Sequence, residues 1–165
     1  MITPAYVQTM AAYNAEMNRR TYGAALRLSD AERRADRGAF WRSIHGTLCH
    51  LYWADRVWLA RFGLGEAPAV GIADSDRMVE DFDELWRLRQ GLDAEIVAWA
   101  AGLEPAALEG DLAWWSGAVQ RDMVKPRALC IMQVFNHQTH HRGQVHALLT
   151  RAGEATGATD LPFVL

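Results

Sequence analysis

The chain of 165 residues is 50% hydrophobic and 22% charged, and its formal net charge is −3. This composition predicts one folded domain over residues 1–165 and excludes disorder across most of the chain. The Lys and Arg residues are scattered and form no basic patch, so nucleic-acid binding is not indicated. Seven Trp residues are many for this length, and we expect a core rich in aromatic side chains.

Cysteine use and the apolar runs indicate where the protein functions. The only two cysteines, Cys49 and Cys130, fall in different predicted helices, which fits a reducing compartment better than a disulfide framework. The N-terminus lacks the basic and apolar regions of a signal peptide. No run reaches the ~20 apolar residues of a membrane span. We therefore expect a soluble, cytoplasmic protein without membrane contact.

Apolar residues at spacings of three and four predict amphipathic helices in the first part of the chain. The first helix is predicted from Pro4 to Leu28, with Thr3 as its N-cap and proline at its first position. A second helix is predicted from Ala39 to Phe62, and its stripe includes Phe40. Two glycines then end it.

The second part of the chain starts with a polar linker, in which Asp74-Ser75-Asp76 is expected to cap a third helix from Met78 to Ala101. The segment "GDLAWWSGAVQRDMVKP" follows, and its Ser116-Gly117 turn signal makes a small β-hairpin plausible. A fourth helix is predicted from Pro126 to Arg151. Four helices with one apolar face each bury those faces most simply against one another. The predicted fold is therefore all-α: a four-helix bundle, with a possible hairpin before the fourth helix.

The stretch "FNHQTHHRGQVHALL", residues 135–149, holds four of the six histidines. His137 and His141 are one turn apart and share a face of the fourth helix. The inward stripe of that helix reads Cys130, Val134, His137, His141, Val145 and Leu148. Two imidazoles therefore stand where the bundle would otherwise have core hydrophobes.

Each buried imidazole without a partner costs about 1–3 kcal/mol, and one shared metal ion would satisfy both rings. The alternative is a hydrogen bond from each ring to a carbonyl or carboxylate, which is the commoner arrangement for a single core histidine. For this pair we favour the metal. The order His-Gln-Thr-His-His lacks the Glu of a metalloprotease motif. His140 and His146 are expected at the surface or rim, and Gly143 suggests a close helix crossing.

A third metal ligand has to come from another element. The second helix offers His45 and His50 in "WRSIHGTLCHLYWADRVWL". His50 has smaller neighbours and leaves more room for a metal, which favours it, but periodicity alone does not choose between the two.

Several segments together make the chain resemble the DinB family of DinB/YfiT-like proteins over essentially its whole length. They are "YNAEMNRRTY", "GTLCHLYWADRVWL", "DLAWWSGAVQRDM", "FNHQTHHRGQVHALLTRAG" and "TDLPFVL". The resemblance implies a four-helix bundle, usually a homodimer, with a metal held by His50, His137 and His141. Trp residues and the tail "DLPFVL" are candidates for the dimer surface. The family name refers to induction after DNA damage and does not imply DNA contact.

Three neutral imidazoles suit a divalent transition metal, Zn or Ni above all and Fe as a further option. Three protein ligands with open positions form the pattern of a catalytic site, where a metal activates water or a thiol. Relatives in the resembled family use the metal to activate low-molecular-weight thiols, as thiol S-transferases and isomerases. The resemblance therefore implies a metal-dependent enzyme of hydrolase or transferase type that acts on a small molecule. The alternatives are a non-catalytic metal-binding stress-response module and a bundle whose histidines are merely core residues.

Other polar residues are candidates for supporting roles. Asp55, between apolar residues of the second helix, is a candidate general base or acceptor for a ligand's N–H, and a buried salt bridge with an arginine is an equally good interpretation. Gln133 and Asn136 are further candidates for orienting ligands. Cys49 points about 100° away from the neighbouring His50, and Cys130 lies on the apolar stripe, so neither is a predicted nucleophile.

Overall fold

The computed structural model describes all 165 residues and contains four long helices, two short helices and one pair of strands. The helices are α1 (Pro4–Leu26), α2 (Asp30–Arg34), α3 (Ile44–Arg61), α4 (Phe82–Ala101), α5 (Arg127–Arg151) and α6 (Leu161–Val164), and the strands are β1 (Asp111–Ser116) and β2 (Arg121–Pro126). The four long helices form the predicted all-α bundle. No helix combines the length and apolar character needed to cross a bilayer.

The first two long helices, α1 and α3, lie at diagonally opposite corners of the bundle. α1 packs mainly against α4 and α5, and α3 packs against the same two helices from the other side. The apolar clusters show that α1 and α5 run in one direction while α3 and α4 run in the other. The chain between α1 and α3 therefore crosses the end of the bundle, and α2 lies in this connection.

Side-chain caps decide where the first two long helices begin. Thr3 accepts a hydrogen bond from the N–H of Tyr6 at 3.2 Å, as its predicted N-cap role requires. α3 begins later than predicted, because Ser43 is its N-cap and Arg42 before it has a left-handed φ of 64°. Phe40 consequently lies outside the helix and is 76% exposed instead of belonging to the apolar stripe.

The linker before α4 does not cap that helix, contrary to the prediction. Asp81 is the N-cap and accepts a hydrogen bond from the N–H of Glu84 at 2.7 Å. Asp74-Ser75-Asp76 instead belongs to a 3-10 turn over Ile72–Arg77 that packs on α3. Ser75 is fully buried there. The linker thus contributes a polar side chain to the interior.

The predicted hairpin is present. β1 and β2 pair in antiparallel register, with Leu112 opposite Lys125 and Ser116 opposite Arg121. The four residues between the strands, 117–120, form the turn. The hairpin leads directly into α5.

Two apolar clusters fill the bundle, one in each half. The first joins the beginning of α1 to the end of α3, the end of α4 and the beginning of α5, and the second joins the opposite ends of those helices. Their fully buried aromatic residues are Tyr and Phe. Although the chain has seven Trp residues, none is fully buried, so the predicted aromatic core is only partly correct.

A buried polar layer lies between the two apolar halves. Each long helix contributes to it: Asn14 and Asn18 from α1, Asp55 from α3, Arg89 and Asp93 from α4, and Gln138 and Arg142 from α5. At its centre the 1%-exposed Arg89 donates a hydrogen bond to Asp55 Oδ2 at 2.6 Å. The second terminal nitrogen of Arg89 lies 2.8 Å from Asp93 Oδ1 as an ion pair.

The remaining contacts of the layer connect all four long helices. The amide of Asn18 donates to Asp93 at 2.9 Å, and Gln138 donates to Asp55. Arg142 donates to Gln138 at 2.8 Å and to Asn14 at 2.6 Å. Desolvation dominates here, raising the pKa of Asp55 to about 6 despite Arg89 and lowering the pKa of Arg142 to about 10. Both groups are charged at pH 7 and depend on their partners.

The substitution Arg89→Leu should lower the free energy of unfolding by about 3–5 kcal/mol, because it leaves two buried carboxylates without their cation. Urea denaturation of the metal-free protein measures this loss. Arg87→Leu is the matched control on the same helix, since Arg87 is exposed and pairs only with Glu84 on the surface. The control should unfold at the wild-type midpoint. A wild-type midpoint for Arg89→Leu would contradict the importance of the layer.

Candidate metal centre

α3 and α5 bring three histidines together beside the polar layer. The ligand nitrogens of His50, His137 and His141 all lie within 4.8 Å of one another. The Nε2 atoms of His50 and His137 are 3.3 Å apart. Two ligands at zinc–nitrogen distances of about 2.0–2.1 Å and a tetrahedral angle are separated by roughly 3.3 Å, so this spacing fits one metal ion.

Ser75 sets the tautomer of His50. The Ser75 hydroxyl donates its hydrogen to the carbonyl of Ile72 at 2.7 Å. Its oxygen is therefore an acceptor for the Nδ1–H of His50, which lies 2.8 Å away. With the proton on Nδ1, the lone pair of His50 is on Nε2 and faces the other histidines.

Gln144 has the same effect on His141. Its Oε1 lies 2.8 Å from Nδ1 of His141, while its amide nitrogen faces Nε2 of His140 at 3.3 Å. This orientation of the amide makes Gln144 an acceptor for His141 and a donor to His140. The lone pair of His141 is thus also on Nε2.

His137 lacks a full set of partners within the chain. Its Nδ1 is buried without a hydrogen-bond partner, and its Nε2 faces the lone-pair side of His50. If Nδ1 carries the proton, two nitrogen lone pairs repel each other across 3.3 Å. If Nε2 carries it, a lone pair on Nδ1 is buried unpaired. A cation among the Nε2 atoms supplies a partner that the protein does not, so the donor set fits a metal.

Burial keeps these rings neutral. It lowers the pKa of His50 to about 3 and the pKa of His137 to about 4, with the neighbouring imidazoles adding to both effects. The pKa of His141 is also lowered, again mainly by burial. Since imidazole binds metals only in its neutral form, the three side chains are in their ligand state at pH 7.

The remaining histidines lie apart from this group or at its edge. His45 is buried and its Nε2 contacts the carbonyl of Val79 at 2.8 Å, so of the two candidates on α3 only His50 meets the α5 pair. His140 is exposed, and half-buried His146 bonds to Thr156. The close helix crossing predicted at Gly143 is wrong, because no atom lies within 4 Å of where its Cβ would be.

Asp55 lies in the polar layer rather than at the histidines. Its hydrogen bonds come from Arg89 and Gln138, which is the arrangement of the salt-bridge interpretation. Gln133 lines the cavity beside the histidines, whereas Asn136 lines a separate groove. Burial raises the pKa of both cysteine thiols, and neither is in a disulfide.

A cavity of about 480 Å³ opens next to the three histidines. Its walls come from α3, α5, the 3-10 turn and the hairpin, and they include four tryptophans: Trp41, Trp53, Trp58 and Trp114. Its volume lies in the range of small-molecule sites. These four tryptophans, which the composition led us to expect in the core, thus surround a cavity.

Trp41 covers one face of His50, with ring centroids 4.1 Å apart and an angle of 23° between the planes. Gly46 makes this approach possible. A Cβ at Gly46 would lie 2.6 Å from the carbonyl oxygen of Trp41, closer than atoms can approach. The close approach that requires a glycine is therefore at Gly46 on α3, a position that no pattern in the sequence marks.

Fold and site together define a class: four-helix-bundle proteins with a candidate three-histidine metal centre. The chain belongs to the DinB family, whose model matches residues 1–165. Among solved structures it resembles YfiT from Bacillus subtilis, described as "a probable metal-dependent hydrolase with an unusual four-helix bundle topology". The two are 16% identical, the TM-score is 0.66, and the match covers 94% of this chain and 92% of YfiT, which establishes a shared fold. No curated protein matches the chain significantly.

Protein purified without a His-tag and loaded with Zn²⁺ should bind about one ion per chain, and alanine at His50, His137 or His141 should weaken binding by roughly 100-fold or more. Competition with a chromophoric chelator measures the affinity, and elemental analysis measures the stoichiometry. His146→Ala is the control on the same helix and should bind as the wild type does. Unchanged affinity in any of the three ligand variants would remove that residue from the site.

Ser75→Ala should weaken metal binding by about 10- to 100-fold, because it removes the acceptor that holds the proton of His50 on Nδ1. The same chelator competition measures the effect. Thr139→Ala removes a hydroxyl on α5, between His137 and His141 in the sequence, that bonds only to the carbonyl of Phe135, and it should have no effect. Equal affinities of the two variants would show that Ser75 does not orient His50.

Proposed function

We propose that the protein is a metal-dependent enzyme that acts on a small molecule, with water or a thiol as the nucleophile. The observation that carries the proposal is the cavity of about 480 Å³ whose lining includes His50, His137 and His141. A structural metal site is closed by protein ligands, whereas these histidines lie at the wall of a space large enough for a substrate.

In this proposal His50, His137 and His141 hold Zn²⁺ or Ni²⁺, with Fe²⁺ as a further option. When bound, such a metal lowers the pKa of a coordinated water or thiol and polarises an electrophilic oxygen. Ser75 and Gln144 keep two of the three ligands in the correct tautomer. Their hydrogen bonds also fix the ring planes, so the nitrogens need little rearrangement to bind.

The cavity walls have a separate role. Tryptophan side chains reduce the water content around the substrate, which strengthens the polar interactions made there. No Asp or Glu lines the cavity. The proposal therefore assigns no carboxylate base, and it gives Asp55 the role of holding α3 against α4 and α5 through Arg89 and Gln138.

Two separate observations bear on whether the nucleophile is a thiol or water. The family resemblance supports a low-molecular-weight thiol, because relatives in that family act as thiol S-transferases and isomerases. The description of YfiT as a probable metal-dependent hydrolase supports water. Both reactions need a nucleophile made stronger at neutral pH next to an apolar binding space. The three-histidine arrangement with open positions serves either one.

A non-catalytic metal-binding module in a stress response is the second candidate. The stacking of Trp41 on His50, with Trp53 at 5.7 Å on the same ring, favours it by limiting access to part of the site. Such a module would bind metal with the same residues but would have no turnover.

The cellular setting and assembly belong to the proposal as well. Two buried free cysteines support a reducing compartment such as the cytoplasm. A homodimer is supported by the family resemblance and by exposed apolar side chains on the hairpin and at the start of α5: Trp115, Val124 and Leu129. Light scattering during size-exclusion chromatography measures the assembly directly.

Metal-free protein reconstituted with Zn²⁺, Ni²⁺ or Fe²⁺ should catalyse at least one reaction in a two-part panel. One part pairs glutathione, cysteine or coenzyme A with monochlorobimane, and the other follows hydrolysis of p-nitrophenyl esters. His137→Ala should reduce the rate to that without protein, and His146→Ala should retain it. Stoichiometric metal binding with no rate in either part would favour the non-catalytic module.

A further inference from the structure

A second functional group lines the histidine cavity. Arg61, the last residue of α3, is partly buried and contributes to the same walls as His50, His137 and His141. Its guanidinium carbon lies 4.5 Å from the ring centroid of Trp58 and 5.3 Å from that of Trp114. Stacking on two indoles fixes the position of the cation while leaving the N–H groups at its edge free to donate.

Arg61 has no anionic partner in the chain. Every other arginine that is at least partly buried donates to a carboxylate, an amide or a backbone carbonyl, as Arg56 does to Glu95 at 2.7 Å. Arg61 makes no such hydrogen bond and belongs to no salt bridge. Burial lowers its pKa, with no nearby carboxylate to oppose the effect. A guanidinium stays protonated at pH 7, so this charge is held in a partly desolvated place without a counter-ion.

The permanent charge of the cavity lining is of one sign. The lining contains no Asp, Glu or Lys, and Arg61 is its only permanently charged side chain. The other walls are mostly aromatic and aliphatic. A ligand that matches these walls has an apolar body and one negatively charged group.

The positions on α3 indicate the shape of such a ligand. His50 and Arg61 are eleven residues apart, which places them on the same face of the helix and about 16 Å apart along its axis. Ala54, Val57 and Trp58 lie between them and line the cavity. The space therefore extends along α3 from the histidines to the guanidinium.

We propose that this cavity binds an elongated, largely apolar small molecule with a terminal oxyanion, and that Arg61 binds the oxyanion through the edge of its guanidinium. The opposite end of the molecule would lie next to the histidines, and only this part of the proposal rests on the proposed function. Carboxylates and phosphates both present two oxygens to such a fork, and the experiment distinguishes them.

The test uses metal-free protein, because a metal would itself attract an anion. Intrinsic tryptophan fluorescence follows titration with 4-phenylbutyrate, its neutral analogue 4-phenylbutyramide, and 3-phenylpropyl phosphate. Wild-type protein should bind the carboxylate or the phosphate at least about 10-fold more tightly than the amide, because the amide lacks the negative charge and the second acceptor oxygen that pair with the guanidinium. Whichever anion binds more tightly identifies the class.

Variants then assign the preference to a residue. Arg61→Gln should bind acid and amide within about twofold of each other, and Arg61→Lys should keep part of the preference because it keeps the charge but not the fork. Arg56→Gln, on the same helix but paired with Glu95, should behave as the wild type does. Circular dichroism verifies that each variant is folded.

Three results would overturn the oxyanion site: no measurable binding of either anion to wild-type protein, equal affinity for acid and amide, or a preference that survives in Arg61→Gln. Because no metal is present, each of them leaves metal-dependent catalysis untouched. Conversely, the protein could prefer the anion over the amide and yet show no affinity for any metal in a separate titration. That pair of results would overturn the proposed function and leave the oxyanion site in place.

Discussion

The buried guanidinium of Arg89 is the constraint on which the rest of the structure depends. Apolar faces tolerate small shifts of one helix along another, because hydrophobic burial is not directional. A buried cation does not, since it is stable only where carboxylates meet it at hydrogen-bond distance. Asp55 on α3 and Asp93 on α4 meet Arg89 in this way. The polar layer therefore fixes the axial register of the long helices.

That register also assembles the candidate metal centre. Gln138 donates to Asp55 in the polar layer, and its neighbour His137 faces His50 across the same pair of helices. Sliding α3 along α5 by one turn would break the first contact and separate the second. Stability and ligand geometry are thus properties of one helix packing. Asp55 contributes to the site by fixing its geometry, without contact with the ligands.

Charge is distributed unequally between the two sides of α3. Towards the polar layer, Arg89 pairs with the carboxylates of Asp55 and Asp93, and Arg142 donates hydrogen bonds to two side-chain amides. Towards the cavity, burial keeps the histidines neutral and Arg61 has no partner. Tryptophans surround this second side, where their large faces line a space instead of filling a core. Aromatic walls and an unpaired cation suit this cavity to a ligand with an apolar body and one negatively charged group.

The sequence by itself determined the four long helices, the hairpin and the pairing of His137 with His141, because these follow from local periodicity and turn chemistry. It also contained a sign of the polar layer, since Arg89 interrupts the stripe of Phe82, Leu85, Leu92 and Ile96 at regular spacing. Only the tertiary structure decided that Ser75 orients His50, that Arg61 enters the cavity and that Gly46 admits Trp41. These contacts join residues from separate elements, and a linear pattern encodes which face a residue occupies but not what lies opposite that face.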